Sequence, residues 1–135
     1  MAKSQVATEY LVIIAVGMMI LIPMIVHLNE MYVAYKDESR IASAKTTVNK
    51  IASLSNFIYS QGSPAKVVTR IYIPEGVERI EFGSKEVSFR LRTKAGVIDV
   101  SEDTIAEIRG NLPSSPGVYN VAIIAEEGFV NLTVI

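Results

Sequence analysis

Hydrophobic and polar positions divide the chain into three stretches of different rhythm. From Tyr10 to Val26 no residue is charged, and Leu, Ile, Val and Met dominate. Read as a helix rising about 1.5 Å per residue, residues 6–28 reach roughly 34 Å, enough to cross the hydrocarbon of a bilayer. Pro23 removes one backbone hydrogen bond and crowds the preceding turn, so a kink or local melting is expected there. Residues 29–61 contain no Gly or Pro, and Ile41, Ala44, Val48, Ile51, Ala52 and Ile58 recur at helical spacing. Lys36, Asp37, Glu38, Arg40, Lys45, Asn49 and Lys50 fill the other positions. This predicts an amphipathic continuation whose apolar stripe lies on a globular domain. Gln61-Gly62-Ser63-Pro64 closes it, because Gly suits the left-handed cap and Pro cannot continue a helix. A single helix from Gln5 to Tyr59 would be on the order of 80 Å long.

The third stretch has the rhythm of strands. Residues 67–73 are rich in β-branched side chains and stop at Pro74. Residues 77–82 and 86–92 form a hairpin around Gly83-Ser84-Lys85. In its second arm Val87, Phe89 and Leu91 alternate with Ser88, Arg90 and Arg92, which marks one buried face. Residues 97–100 read as a short strand. Residues 104–109 fit either a strand or a helical turn preceded by Ser101-Glu102-Asp103. Residues 111–117, with Pro113, Pro116 and Gly117, form the clearest loop, and residues 118–125 and 129–135 form a last hairpin. About six strands with short turns predict a small antiparallel sheet or sandwich. Some seventy residues make a thin core, so the sheet is expected to need the helix stripe from Ile41 to Ile58 as cover.

Composition changes this picture little. Half the residues are hydrophobic, yet 13 Lys and Arg nearly balance 14 Asp and Glu. The charge balance points to no particular acidic or basic partner, and the absence of Cys excludes disulfides and Cys-based zinc sites. The beginning of the chain is more informative. Glu9 stands at the front of the apolar run, with Lys3 as the only basic side chain nearby. A carboxylate at the edge of hydrocarbon is costly unless it pairs or snorkels, and therefore hints at function. An ordinary secretory signal would need a small-residue cleavage site after the apolar run, and Met24-Ile25-Val26-His27-Leu28-Asn29 is a poor one. A plain signal anchor suits the length but leaves Glu9 without a role. A third arrangement cuts the chain before the apolar run and keeps the helix on the mature protein.

Lys3-Ser4-Gln5-Val6-Ala7-Thr8-Glu9-Tyr10-Leu11 resembles the leader junction of archaeal type IV pilin-like proteins, the class III (prepilin-type) signal peptide. That family has Gln as the first mature residue, Glu four positions later, often Tyr next, and then an apolar helix. Ala7 stands where many members carry Ser, and the basic leader is reduced to Lys3. The resemblance covers residues 3 to about 28. It implies a processing site between Ser4 and Gln5, a prepilin peptidase that cuts there, and an assembly register set by Gln5 and Glu9. Cleavage would free an α-amino group on Gln5, with an intrinsic pKa near 8. In a filament core that ammonium would pair with Glu9 of a neighbouring subunit, and wrong axial registers would leave both charges unpaired.

The resemblance thus implies a leader over residues 1–4, an apolar transmembrane and polymerisation helix over 5–28, an amphipathic helix over 29–61 and a β-rich head over 62–135. The expected fold is α+β, one long helix packed on a small antiparallel sheet or sandwich. The expected function is that of a structural subunit of a type IV pilus-like filament, a minor pilin or pseudopilin being the variant within that class. Implied partners are copies of itself in a helical homopolymer, related pilins, the peptidase, an assembly ATPase with its membrane platform proteins, and lipid before assembly. The implied location is the cell membrane with the head outside, then the surface filament. The alternative is an uncleaved single-pass anchor displaying a β domain that binds a sugar or a partner protein.

Other chemistry is sparse. There is no Ser/His/Asp set and no Gly-rich phosphate loop, so no catalytic, cofactor or metal site is expected. His27 is the only histidine and reads as interfacial or packing. Arg90, Arg92 and Lys94 fall on one strand face, where pairing with acidic neighbours is expected rather than specific nucleic-acid contact. Asn131-Leu132-Thr133 is the only N-glycosylation sequon, and alternation puts Asn131 opposite the face of Val130, Leu132 and Val134.

Overall fold

The computed structural model describes residues 2–135 and divides into two units between Lys36 and Asp37. Met1, the first residue of the expected leader, lies outside the described residues. Helix α1 (Ala2–Gln61) is followed by β1 (Lys66–Ile73), β2 (Val77–Phe82), β3 (Glu86–Thr93), β4 (Gly96–Asp103), β5 (Glu107–Gly110), β6 (Gly117–Glu126) and β7 (Phe129–Val134). This is the expected α+β fold.

In the first unit α1 buries no side chain of its apolar run, and only Gly17 and Val33 are even partly covered. The helix starts earlier than expected and includes Ser4 and Gln5. It also runs unbroken through Pro23, so the local melting expected there does not occur. One missing N–H removes a single bond, and neighbouring apolar turns offer the backbone no better partner than the helix itself.

In the second unit α1 buries Ala44, Thr47, Val48, Ile51, Ala52, Ser55 and Ile58, the stripe that the spacing predicts. Ala44, Val48 and Ile51 share one core with Ile71, Ile73, Phe89, Leu91, Val121, Ile123, Val130 and Leu132. Polar side chains pin the helix to the strands. Thr47 Oγ1 donates to the Tyr72 carbonyl at 2.6 Å and Lys50 Nζ to the Arg70 carbonyl at 2.7 Å. Asn56 Oδ1 accepts from the Ile105 N–H at 2.8 Å, and Asp37 Oδ2 from the Lys94 N–H at 2.9 Å. Two carbonyls on the outer edge of β1 thereby find donors that no neighbouring strand supplies. At its C-terminal end α1 closes on Gly62, whose φ is 80° and whose N–H reaches the Tyr59 carbonyl at 3.1 Å.

The strands form a four-stranded sheet, β1-β6-β7-β5, and a three-stranded sheet, β2-β3-β4. Both expected hairpins are present: β2 pairs antiparallel with β3, and β6 with β7. Three details differ from expectation. Among the described residues there are seven strands, and β4, expected to end at residue 100, runs on through Ser101-Glu102-Asp103. The ambiguous stretch supplies strand β5, which runs parallel to β7 and makes the larger sheet mixed. The short β5 escapes alternation rules because its pairing is long-range: Gly110, at φ 151°, sits where a Cβ would collide with the Leu132 carbonyl.

Candidate functional site

The residues singled out at the beginning of the chain lie on the first turns of α1. Ser4, Gln5 and Glu9 are all exposed. Gln5 and Glu9 are four residues apart, so they share one helix face. Thr8 Oγ1 donates back to the Ser4 carbonyl at 2.8 Å, which holds its hydroxyl against the helix. Thr8, Glu9, Val12 and Ile13 line a shallow groove. The Glu9 carboxylate makes no hydrogen bond or ion pair among the described residues. Behind it, Tyr10–Ile14, Val16, Met18–Ile22 and Met24–Val26 contribute exposed large apolar side chains on every side of the helix, with only Ala15, Gly17 and Pro23 between them. This one helix, near the N-terminus, is long and apolar enough to cross a membrane, and none of its apolar window is buried within the protein.

Of the basic row, Arg90 and Arg92 find partners within their own sheet, whereas Lys94 lies past the end of β3. Arg90 lies opposite Asp99 and meets it through two hydrogen bonds, 2.8 and 3.1 Å. Arg92 pairs with Glu78 on β2 at 2.6 Å. The hydrogen bonds from Arg90 hold the Asp99 carboxyl below its ordinary range, and Asp99 in turn raises Arg90. The same effect links Glu107 and Arg109 on β5. Arg109 also stacks over the Phe129 ring, 4.3 Å from its centroid. His27 is exposed on α1, and among the described residues no three His, Asp or Glu side chains gather as a metal site.

Compared with family models, with curated proteins and with solved structures, the chain finds no match. Its function therefore has to be argued from its own residues.

Asn131 lies on β7 between Arg109 of β5 and Ile124 of β6. It is half-buried, and its Nδ2 donates to Glu126 Oε1 at 3.1 Å. This sequon is thus built into the four-stranded sheet, away from any loop.

Sequence reading missed one surface. Val68, Tyr72, Val118 and Ile135 are exposed on the outward face of the four-stranded sheet, away from the core residues Ile71, Val121 and Ile123. The outward face of the three-stranded sheet instead carries Arg79, Glu81, Arg90, Arg92 and Asp99, tied in ion pairs. The signal was present in residues 118–125, which are apolar at both parities where a half-solvated strand alternates.

Proposed function

We propose that this chain is the structural subunit of a type IV pilus-like surface filament, inserted in the membrane, cut between Ser4 and Gln5 by a prepilin peptidase, and assembled through its apolar helix. The observation that carries the reading is Glu9, a lone carboxylate leading a helix whose apolar faces its own chain leaves uncovered. Lipid satisfies such a helix in the stored monomer, and neighbouring helices satisfy it in a filament. Only the filament also offers Glu9 a fixed cation, the freed Gln5 ammonium of another copy. Within one subunit the pair sits one turn apart, so a loose contact is available before assembly and is exchanged for an intersubunit one. The head then stands outside the cell, first at the membrane and later along the filament. Related pilins, the peptidase, an assembly ATPase and its membrane platform are the partners this role requires.

Mass spectrometry of the native N-terminus tests the processing step. Chains beginning at Gln5 are expected, and a bulky replacement of Gln5 should hinder cutting more than the same change at Ala7. A native chain intact from Met1 would favour the uncleaved anchor with a displayed β domain. One trimmed after Val26 would mean that the apolar helix is discarded and cannot build anything.

A further inference from the structure

The head carries an apolar sheet face with free cations and, elsewhere, an apolar side chain with free carboxylates. On the outward face of the four-stranded sheet, Tyr72 and Val118 are directly opposed across β1 and β6, and are 49% and 60% exposed. Val68, 54% exposed, lies opposite Ala122. Arg70 sits between Val68 and Tyr72 on the same side of β1, with Lys66 one step further along. Neither cation has an acidic partner among the described residues. On the β4–β5 connection, Ile105 is 64% exposed, and beside it the exposed Asp103 and Glu86, which face each other across β4 and β3, carry carboxylates that likewise have no partner among the described residues.

We propose that the outward face of the four-stranded sheet docks a second copy of this chain, which presents Ile105 with Asp103 and Glu86 to Val68, Tyr72 and Val118 with Arg70 and Lys66. Burying Ile105 on the apolar patch supplies the non-directional attraction. Opposite charges on the two surfaces fix the orientation and disfavour patch meeting patch or plug meeting plug. Ile105 follows β4 of the three-stranded sheet, whereas the patch lies on β1 and β6 of the four-stranded sheet. Plug and patch are therefore unlike surfaces at different places, and their contact repeats from copy to copy, giving an open series where the rotation does not close. The choice of a second copy as occupant rests on the filament reading; the match of charge and apolar surface is independent of it.

The chain has no Cys, so paired cysteines report this contact cleanly. Full-length chain carrying Ile105→Cys and Val118→Cys, treated with a mild oxidant in the membranes and filaments of producing cells, should give a ladder of disulfide-linked multimers. Ile105→Cys with Glu81→Cys, which lies on the ion-paired face of the other sheet, should give none. Adding Arg70→Glu should reduce the ladder roughly tenfold or more through like-charge contact. Restoring complementarity with Asp103→Lys and Glu86→Lys should bring it back, an effect that mere misfolding does not produce. Filaments of Gln5-started chains without a ladder would overturn the docking and leave the filament reading intact. A ladder from uncut chains without filaments would do the reverse. A product that stops at the dimer would overturn the head-to-tail form, and absence of both ladder and filaments would overturn both proposals.

Discussion

The two halves of α1 are built from the same backbone and meet opposite fates. Residues 6–28 are overwhelmingly apolar, yet none of them is buried within the chain. Residues 37–61 hold fewer apolar side chains, and seven residues there are buried. The difference lies in arrangement. Apolar residues on all sides of a helix exceed what one small sheet can cover, whereas a stripe at three- and four-residue spacing offers one face to one partner. Hydrophobic content alone thus says that a segment leaves water; periodicity says whether its own chain receives it. Nothing among the described residues covers the first half, and its length and composition suit a membrane span.

The most severe way to break the comparison is to remove one half at a time. A fragment beginning near Glu30 should be a soluble, cooperatively folding monomer, because it keeps the stripe and discards the uncovered run. A fragment beginning at Pro64 should lose the fold altogether, since Ala44, Val48 and Ile51 no longer close the core. Circular dichroism and denaturant melts separate the two outcomes. A cooperative transition in the shorter fragment would mean that the sheets close their core without the stripe.

What was legible in the sequence follows the same division. The helix stripe, its Gly62 stop and the alternation of Val87, Phe89 and Leu91 were readable because each is a local repeat with a single consistent face. The β5 strand was readable only as one of two alternatives, because its four residues, Glu107–Gly110, gain their place from a parallel partner, β7, that is not local in the chain. Ser101-Glu102-Asp103 look like turn residues by type, yet they continue β4 because Ser88, Val87 and Glu86 lie opposite them. Ser4, Gln5 and Glu9 stood out as a motif, to which the fold adds that all three are exposed on α1. On the proposed filament reading, the cation that faces Glu9 comes from another copy.

Two substitutions compare the halves at similar cost but in different assays. Glu9→Gln keeps the size and removes the charge. Breaking one partner of a buried pair typically costs ~3–5 kcal/mol, so on the proposed filament reading the variant should insert and be cut almost normally yet be strongly excluded from filaments when co-expressed with wild type. If purified filaments held both forms in proportion to their membrane pools, Glu9 would not set register. Ile51→Ala should cost the head about 2–5 kcal/mol, as for deletion of a fully buried Ile side chain. It should lower the denaturant midpoint of the fragment from Glu30, while Ile13→Ala in the full chain should leave the head's melting unchanged.

A finer probe separates packing from polar pinning in the second half. Thr47 is buried, and its hydroxyl reaches the Tyr72 carbonyl on the open edge of β1. Thr47→Val keeps the shape, removes the donor and leaves that carbonyl short of a partner. A loss of about 1 kcal/mol is expected, smaller than for Ile51→Ala. An equal or larger loss would show that the side-chain bonds, and not the stripe, hold the helix to the strands.

The smallest expected effect concerns the ion pairs of the head. Hydrogen bonds from Arg90 depress Asp99, and those from Arg109 depress Glu107. A carboxylate with a depressed folded value contributes stability that is present above its unfolded value and is lost as pH falls through the folded one. The loss therefore belongs below the ordinary carboxylate range, well away from neutrality. It should also be slight, because both pairs are open to solvent and salt. The fragment from Glu30 contains no histidine, so nothing with an ordinary histidine value titrates in it near neutrality. Its urea midpoint should stay flat on mild acidification and decline gently only in stronger acid, with Asp99→Asn removing part of that decline and added salt shrinking it. A steep fall just below neutrality would mean that a charged contact holds the second half of α1 to its sheets, and the contrast between the two halves would then be one of charge as much as of apolar spacing.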